Sequence, residues 1–366
     1  MNGNIGVSQT VPTSPRVSAA IAIARLVGIL CVVYVHGWTG RSAEDLTDMA
    51  LTAQGALRTV VIELFGRSAV PLLGMISGWL VVSSATRRRY GEFVRGKART
   101  ILVPMVLWNA IGLALVCGFA WFGQLRAPIP TSVGWVLNEL VPLAHPGDIS
   151  VQMPFLRDLF VCMLLAPLLV RLPLPALAVA AAIVIAWSVA MLQLFVLLRP
   201  QILFFFIAGM AARRTGLAER IAAWPMLVCA LPYALLFAPA FWFATQGTPF
   251  IDAHPHRMAA FDMVFRLASG LLFWRVAWAL AGRAASERLV DLERYGFLAF
   301  CDHLVLLWLL GPVIGLLTGP LGGPLYPVYL LVQPLLILGA TILIGRFLLA
   351  LSRPAAGVLS GGRLTR

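Results

Sequence analysis

The sequence predicts an all-α fold, a polytopic transmembrane helical bundle of about ten spans with both termini in the cytoplasm. Of the 366 residues, 60% are hydrophobic and only 12% are charged, whereas a soluble globular chain is charged at about 25% of its positions. The apolar residues form runs, most of them near the ~20 residues that cross a bilayer. Basic residues gather in alternate connections between these runs. These observations exclude a soluble enzyme and an intrinsically disordered chain.

The runs follow one another with short connections, so we expect one membrane domain, 17–350, between two cytoplasmic tails, 1–16 and 351–366. The first run is too long for the core of a signal peptide and lacks a small-x-small cleavage site, so it is expected to be a retained span. The predicted spans are 17–38, 64–85, 101–122, 154–171, 174–194, 199–213, 224–245, 260–281, 295–317 and 326–350.

The sixth run is short because Arg199 and Arg213 bracket it, although both side chains can extend towards the interfaces. Its crossing decides the orientation of everything that follows. With ten crossings, the basic connections 86–100 and 282–294 both lie in the cytoplasm, whereas nine would place the second one outside. The positive-inside rule therefore favours ten. Topology then explains the net charge of +13, and no nucleic-acid partner is expected.

The connection between the first two spans contains a helical pattern. Leu57, Val60, Val61 and Leu64 recur at i, i+3, i+4 and i+7, which predicts a short amphipathic helix on the outer membrane interface.

The five cysteines all lie in apolar runs, without CxxC or Cys/His ligand spacing. They are expected to be small core residues, and neither a disulfide framework nor a metal site is predicted.

The first span carries two ionisable side chains, Arg25 and His36, and such groups inside a bilayer mark candidate functional sites. They are eleven positions apart, which in an α-helix is about 20° from three full turns and about 16 Å along the axis. Both are therefore expected on one face, with Arg25 nearer the cytoplasm. The alternatives are an anchor at the interface for Arg25 and a hydrogen-bonded residue at the helix end for His36.

Two further spans carry adjacent ionisable pairs, Arg157 and Asp158 in the fourth and Asp302 and His303 in the ninth. Adjacent residues on a helix point about 100° apart, so we expect Arg157 and Asp158 to pair across helices rather than with each other. Either pair alone would be explained by a polar clasp between helices. Together with the two groups of the first span, they indicate a polar site within the bundle.

The basic connection after the second span, together with Arg25, predicts a cationic mouth on the cytoplasmic side. A polyanion such as a nucleotide or coenzyme A would enter such a mouth. The determination of topology and the binding of anionic lipid explain the same charges equally well.

Six motifs, in order, resemble those of the acyltransferase-three family of integral-membrane O-acyltransferases, and the resemblance covers most of the chain. The first span has the family's Arg-x10-His signature, and the ninth places His303 near a YllH motif. The second span resembles vPlFFmlSGyll, although Leu72 and Leu73 replace the phenylalanine pair, and Cys301 and Asp302 replace Tyr-Leu before the histidine. The matching segments of the second, third, fourth and sixth spans are RSAVPLLGMISGWLVVSS, EFVRGKARTILVPMVLW, MPFLRDLFVCMLLAPLL and ILFFFIAGMAARR.

The resemblance implies a multi-pass enzyme of the cell inner membrane. It would transfer an acyl group, commonly acetyl from acetyl-CoA, to a hydroxyl of a cell-envelope or exported glycan or a lipid-linked sugar, with no metal. Arg25, Arg95, Lys97 and Arg99 would hold the coenzyme phosphates. His36 would be the general base or an acyl-carrying nucleophile.

The remaining ionisable groups would then support the reaction. Arg157 or His303 would stabilise the tetrahedral oxyanion, and Asp302 or Asp158 would orient an imidazole. Two other functions stay open from the residues alone. One is a proton-coupled transporter or flippase of a glycan or lipid-linked precursor, and the other is a non-catalytic scaffold. No internal repeat is found, which disfavours a transporter built from inverted halves.

Overall fold

The computed structural model describes residues 14–68, 70–284 and 286–365, and within these ranges the chain is helical, with no β-strand. Residues 1–13 of the predicted N-terminal tail lie outside the described residues. Three π-helical stretches lie between α-helices of these ranges, at Thr59–Gly66, Ala98–Leu102 and Leu113–Cys117. The α-helices are α1 Pro15–Val35, α2 Ala43–Asp48, α3 Ala53–Arg58, α4 Val70–Arg87, α5 Tyr90–Lys97, α6 Val103–Gly112, α7 Gly118–Trp121, α8 Val133–Leu140, α9 Pro154–Leu169, α10 Leu174–Val189, α11 Gln201–Thr215, α12 Leu217–Ala223, α13 Met226–Thr245, α14 Gly247–Ala253, α15 Pro255–Leu280, α16 Ser286–Thr318, α17 Tyr326–Leu351 and α18 Arg353–Leu359.

The all-α, polytopic architecture is confirmed. Within the described residues, seven helical segments are long and apolar enough to cross a membrane: Pro15–Val35, Ala53–Arg87, Tyr90–Trp121, Met226–Thr245, Pro255–Leu280, Ser286–Thr318 and Tyr326–Leu351. The other three predicted spans are the shorter helices α9, α10 and α11, of 16, 16 and 15 residues. At 1.5 Å per residue, each of these three helices is about 24 Å long or slightly less. The hydrocarbon core of a bilayer is about 30 Å thick, so a crossing would also need the residues that flank each helix.

The helices α1 and α16 pack side by side and run in the same direction. The Arg25 guanidinium lies 2.7 Å from the Glu293 carboxylate, Ile29 packs on Gly296, and the rings of His36 and His303 are 5.3 Å apart between centroids. Residue numbers rise together in both helices, which only a parallel pair allows. Two parallel membrane helices are separated by an odd number of crossings. Seven predicted spans lie between α1 and α16, and this number becomes six, which is even, if α11 does not cross.

Glycine allows α4 and α11 to approach until their backbones touch. A Cβ atom on Gly78 would lie 1.9 Å from the carbonyl oxygen of Phe206, and one on Gly209 would lie 1.8 Å from that of Met75. No side chain fits at either position, because a carbon cannot come closer than about 3 Å to an oxygen without a bond. The contact is the close helix packing that small residues permit in membranes.

The segment predicted as an interfacial amphipathic helix is helical, but its predicted location is wrong. Its apolar side chains pack inside the bundle, where Val61 and Ile62 contact the aromatic side chains of α17. Leu64 packs against Tyr233 and Phe265. The segment continues through a π-helical stretch towards α4, so its apolar face meets other helices rather than lipid.

The connection between α8 and α9 folds back into the bundle. The buried carboxylate of Glu139 accepts hydrogen bonds from the backbone N–H groups of Asp148 and Ile149. Burial raises the pKa of Glu139, although these two hydrogen bonds act in the opposite direction. Further along, the Gln152 side chain donates to the Cys301 carbonyl at 3.3 Å. This connection therefore brings Val151 and Gln152 against α16.

The C-terminal segment 353–365 packs onto the bundle. The indole of Trp108 donates to the Leu359 carbonyl at 3.1 Å, and Ser360 and Leu364 are buried. The guanidinium of Arg363 lies over the Phe297 ring, 3.9 Å from its centroid. The predicted boundary of the membrane domain at residue 350 stays a prediction.

We expect Gly78→Ala and Gly209→Ala each to destabilise the protein by at least the roughly 1–3 kcal/mol typical of overpacking, because the added methyl group meets a backbone carbonyl. The thermal midpoint of the detergent-purified protein, followed by size-exclusion chromatography after heating, measures the effect. Gly339→Ala is the matched control, since a Cβ on this exposed helical glycine meets nothing within 4 Å. Equal midpoints for all three variants would contradict the glycine contact.

Candidate active site

A basic cavity of about 460 Å³ opens near the start of α16. Four of its lining residues are cationic, namely Arg25, Lys97, Arg294 and Arg363, and one, Glu293, is acidic. They converge from α1, α5, α16 and the C-terminal segment, so no single stretch of sequence contains them. Guanidinium and ammonium groups bind phosphates. The cavity therefore has the charge that a phosphorylated ligand requires.

The structure adds three residues to the predicted cationic mouth and separates two others from it. Glu293, Arg294 and Arg363 were not predicted, because nothing in their local sequence distinguishes them from other basic or acidic residues near helix ends. Arg95 and Arg99 line a separate, open hollow beside Arg89. Of the predicted coenzyme-binding residues, Arg25 and Lys97 reach the basic cavity.

A second cavity, of about 330 Å³, contains His36 and is called the histidine cavity here. Its polar lining comes from α1, α11, α15 and the connections that precede α4, α9 and α11. These polar side chains are His36, Arg67, Gln152, Arg199, Gln201 and Arg266. Three arginines and two glutamines surrounding one imidazole form a site that can bind polar substrate groups and exchange protons.

The two cavities meet at an apolar partition, because Leu73, Phe155 and Phe300 line both of them. Leu73 comes from α4, Phe155 from α9 and Phe300 from α16. Phe155 and Phe300 contact each other, with ring centroids 5.5 Å apart. A ligand arm that passed between these side chains would connect the phosphate-binding end with the histidine.

His36 lies immediately after the last residue of α1. The side-chain amide of Gln333 donates to the Val33 carbonyl at 3.0 Å, which satisfies a terminal carbonyl of the helix. After His36 the chain turns, and the Trp38 ring packs on Gly311 and Gly315 of α16. His36 therefore lies at a helix end, as the alternative interpretation predicted, but its ring faces the cavity inside the bundle.

His303 is fully buried behind His36. Its Nδ1 lies 3.0 Å from the Ala299 carbonyl and 2.9 Å from the Phe300 carbonyl. A carbonyl oxygen only accepts hydrogen bonds, so Nδ1 carries the hydrogen and Nε2 of the neutral ring carries the lone pair. Nε2 has no hydrogen-bond partner among the described residues. This nitrogen is therefore available to accept a proton or a hydrogen bond.

Arg157 and Asp158 pair with each other, at 2.6 Å, so the expectation that each pairs only across helices is wrong. The two side chains leave the helix in directions about 100° apart, but the long arginine side chain folds back to reach the carboxylate. The pair also holds the segment before α11: Arg157 donates to the Phe195 and Val196 carbonyls. Asp158 accepts from the backbone N–H of Arg199 at 2.8 Å. These contacts explain the positions of both side chains, and none of these contacts involves a histidine.

Asp302 points towards α17, where the Thr341 hydroxyl donates to its Oδ1 at 2.9 Å. Its other oxygen has no hydrogen-bond partner among the described residues. The carboxylate therefore connects two helices, and the hydrogen bonds of the neighbouring His303 go to its own helix. The structure thus brings together His36 and His303 of the predicted site, and places Arg25 in the basic cavity across the partition. Arg157, Asp158 and Asp302 bind other partners near the two histidines.

An open groove of about 520 Å³ leads to the histidine cavity, with Arg67, Gln201 and Arg266 on the lining of both. Its walls combine aromatic rings with carboxylates, including Trp187, Phe243, Phe261, Asp252 and Asp262. Aromatic faces and carboxylates together suit a polyhydroxylated ligand. No three His, Cys, Asp or Glu side chains of the described ranges converge as metal ligands.

Comparison with known proteins identifies the family. The family model described as an acyltransferase domain matches residues 18–350. The succinoglycan biosynthesis protein ExoH of Rhizobium meliloti (strain 1021) is 26% identical over 367 aligned residues, which cover 95% of this chain and 93% of ExoH. No solved structure matches the chain. The family match favours an enzyme over the transporter and the scaffold, and the chain belongs to the acyltransferase-three family of multi-pass membrane O-acyltransferases.

Proposed function

We propose that the protein transfers an acyl group, with acetyl as the simplest case, from acyl-CoA to a hydroxyl of a cell-envelope or exported polysaccharide. The observation that carries the proposal is the pair of cavities, one basic and one containing His36, that share the partition of Leu73, Phe155 and Phe300. One cavity suits the phosphates of a donor, and the other suits a reacting hydroxyl. The polysaccharide acceptor is supported by the similarity to ExoH, whose name refers to succinoglycan biosynthesis.

In this proposal the basic cavity holds the phosphates of the donor, and the pantetheine arm passes the partition towards His36. The Arg25 and His36 side chains start about 16 Å apart along α1, a distance that an extended pantetheine arm spans. The positive-inside distribution supports a cytoplasmic basic cavity. We therefore propose an enzyme of the inner membrane that takes its donor from the cytoplasm.

The acceptor enters through the groove, and its hydroxyl reaches the histidine pair. His36 takes the hydroxyl proton as the oxygen attacks the thioester carbonyl, so that a C–O bond forms and the tetrahedral oxyanion develops. Collapse breaks the C–S bond, and the leaving thiolate takes up the proton from the imidazolium. His303, held with its Nε2 lone pair free, accepts a hydrogen bond from His36 or from the hydroxyl. Arg157 and Asp158 act as positioning residues through Arg199.

We expect His36→Ala to lower the turnover number by about 10²–10⁴-fold, the range typical of a lost general base. His303→Ala should also lower it, and the double variant should lose little more than the worse single one, because the two rings act as one unit. Label transfer from acyl-CoA and release of free coenzyme A measure both. His256→Ala is the control, since this exposed ring hydrogen-bonds to the Val189 carbonyl and is not among the residues that line the histidine cavity. Wild-type turnover in His36→Ala would disprove the assignment.

Lys97→Gln and Arg363→Gln should each raise the KM for acyl-CoA, by about 10-fold for a charge-assisted phosphate contact, with a smaller effect on the turnover number. The effect should disappear with an S-acyl pantetheine donor, which lacks the nucleotide phosphates. Arg353→Gln is the control, because Arg353 is exposed at the start of the same C-terminal segment. Equal penalties with both donors would show that these residues do not bind the phosphates.

A further inference from the structure

The histidine cavity is lined by a cluster of arginines, although a neutral acyl group such as acetyl carries no charge for them to bind. Arg67, Arg199 and Arg266 line it beside His36. Arg67 begins the matching segment of the second span, Arg199 and Arg266 lie outside the quoted motifs, and none of the three lines the basic cavity. They lie on the far side of the apolar partition from the predicted phosphate site. A ligand of these arginines would therefore be a part of a substrate other than the coenzyme phosphates.

Neighbouring carboxylates neutralise this cluster only in part. Arg67 lies 2.6 Å from Glu63, which also pairs with Arg58 at 3.4 Å. Arg266 lies 2.5 Å from Asp262. With Arg199, the guanidinium groups number four, whereas the carboxylates that pair with them are two, Glu63 and Asp262.

Arg199 is the unmatched cation of the cluster. Its guanidinium donates to the Val151 carbonyl at 3.4 Å, and it forms no ion pair within the described part of the chain. Asp158, the acid next to it, binds the backbone N–H of Arg199 and is already paired with Arg157. Asp158 therefore holds the backbone of Arg199 and shares its charge with Arg157, so it neutralises the Arg199 side chain only in part.

The arginine cluster lies in a partly buried setting, where positive charge is costly. The side chain of Arg266 is only 14% exposed, and its guanidinium also donates to the Arg67 carbonyl at 3.3 Å, which fixes the two arginines relative to each other. The buried Gln152 presents an Oε1 without a hydrogen-bond partner among the described residues. Partly buried charges of one sign are stabilised by a bound counter-charge.

We propose that Arg67, Arg199 and Arg266 bind a carboxylate group of a substrate next to His36. A guanidinium offers two parallel N–H donors that match the two oxygens of a carboxylate. The inference rests on the proposed acyl transfer and adds a preference for an anionic substrate. Two sources carry this chemistry: the free carboxylate of a dicarboxylic acyl group, such as malonyl or succinyl, and a uronic acid in the glycan acceptor.

The test measures kcat/KM for matched pairs of substrates with the full-length protein in lipid nanodiscs. The donor arm compares succinyl-CoA with acetyl-CoA on a neutral oligosaccharide. The acceptor arm compares a uronate-containing oligosaccharide with its neutral counterpart, using acetyl-CoA. The variants are Arg199→Gln, Arg199→Lys and Arg266→Gln, and the control is Arg346→Gln, which is exposed on α17. Size-exclusion profiles confirm that each variant is folded.

We expect the wild type to prefer the anionic member of one pair by about 10-fold or more, as for a hydrogen-bonded charge pair. Arg199→Gln and Arg266→Gln should reduce that ratio strongly, Arg199→Lys should retain part of it, and Arg346→Gln should leave it unchanged. The arm that shows the preference identifies the source of the carboxylate.

Equal rates within both pairs in the wild type would overturn the carboxylate site while leaving acyl transfer intact. An equal loss with neutral and anionic substrates in the variants would also overturn it, and would assign the arginines to the oxyanion or to folding. No transfer from any donor to any acceptor would disprove the proposed function itself, and the carboxylate site with it.

Discussion

The parallel packing of α1 on α16 is the contact on which the site depends. It joins the two helices at two levels, by the ion pair of Arg25 with Glu293 and by the contact between the tilted rings of His36 and His303. The first level thus places charged residues of both helices at the basic cavity, and the second places one histidine from each chain segment at the opposite end. Because both helices rise by 1.5 Å per residue, similar spacings of ten and eleven residues keep the two levels in register.

Several of the ionisable groups inside the bundle are tolerated because they have specific partners. Transferring an unpaired charge into an apolar interior costs several kcal/mol. Arg157 and Asp158 neutralise each other and bind the backbone before α11. His303 is held in one tautomer by the carbonyls of its own helix. These contacts fix geometry as well as reducing cost, which is why the same residues serve as supports for the histidine pair.

The apolar partition explains how one bundle separates two polar cavities. Leu73, Phe155 and Phe300 come from three helices and line both spaces. One of them, Leu73, is a position where the chain departs from the phenylalanine pair typical of the family. A leucine is smaller than a phenylalanine, so the departure leaves more space in the partition between the cavities. Leu73 itself packs on Gly28 of α1.

Composition and periodicity by themselves determined the all-α membrane architecture, since bilayer thickness sets the length of each apolar run. They also singled out Arg25, His36 and His303, because ionisable groups are rare inside lipid. Only the tertiary structure decided which of these groups meet. Arg157 pairs with its neighbour, and Arg294 and Arg363 join the basic cavity from elements distant in sequence. The arginines around His36 were equally hidden, because their convergence follows from how helices pack, and packing depends on side chains far apart along the chain.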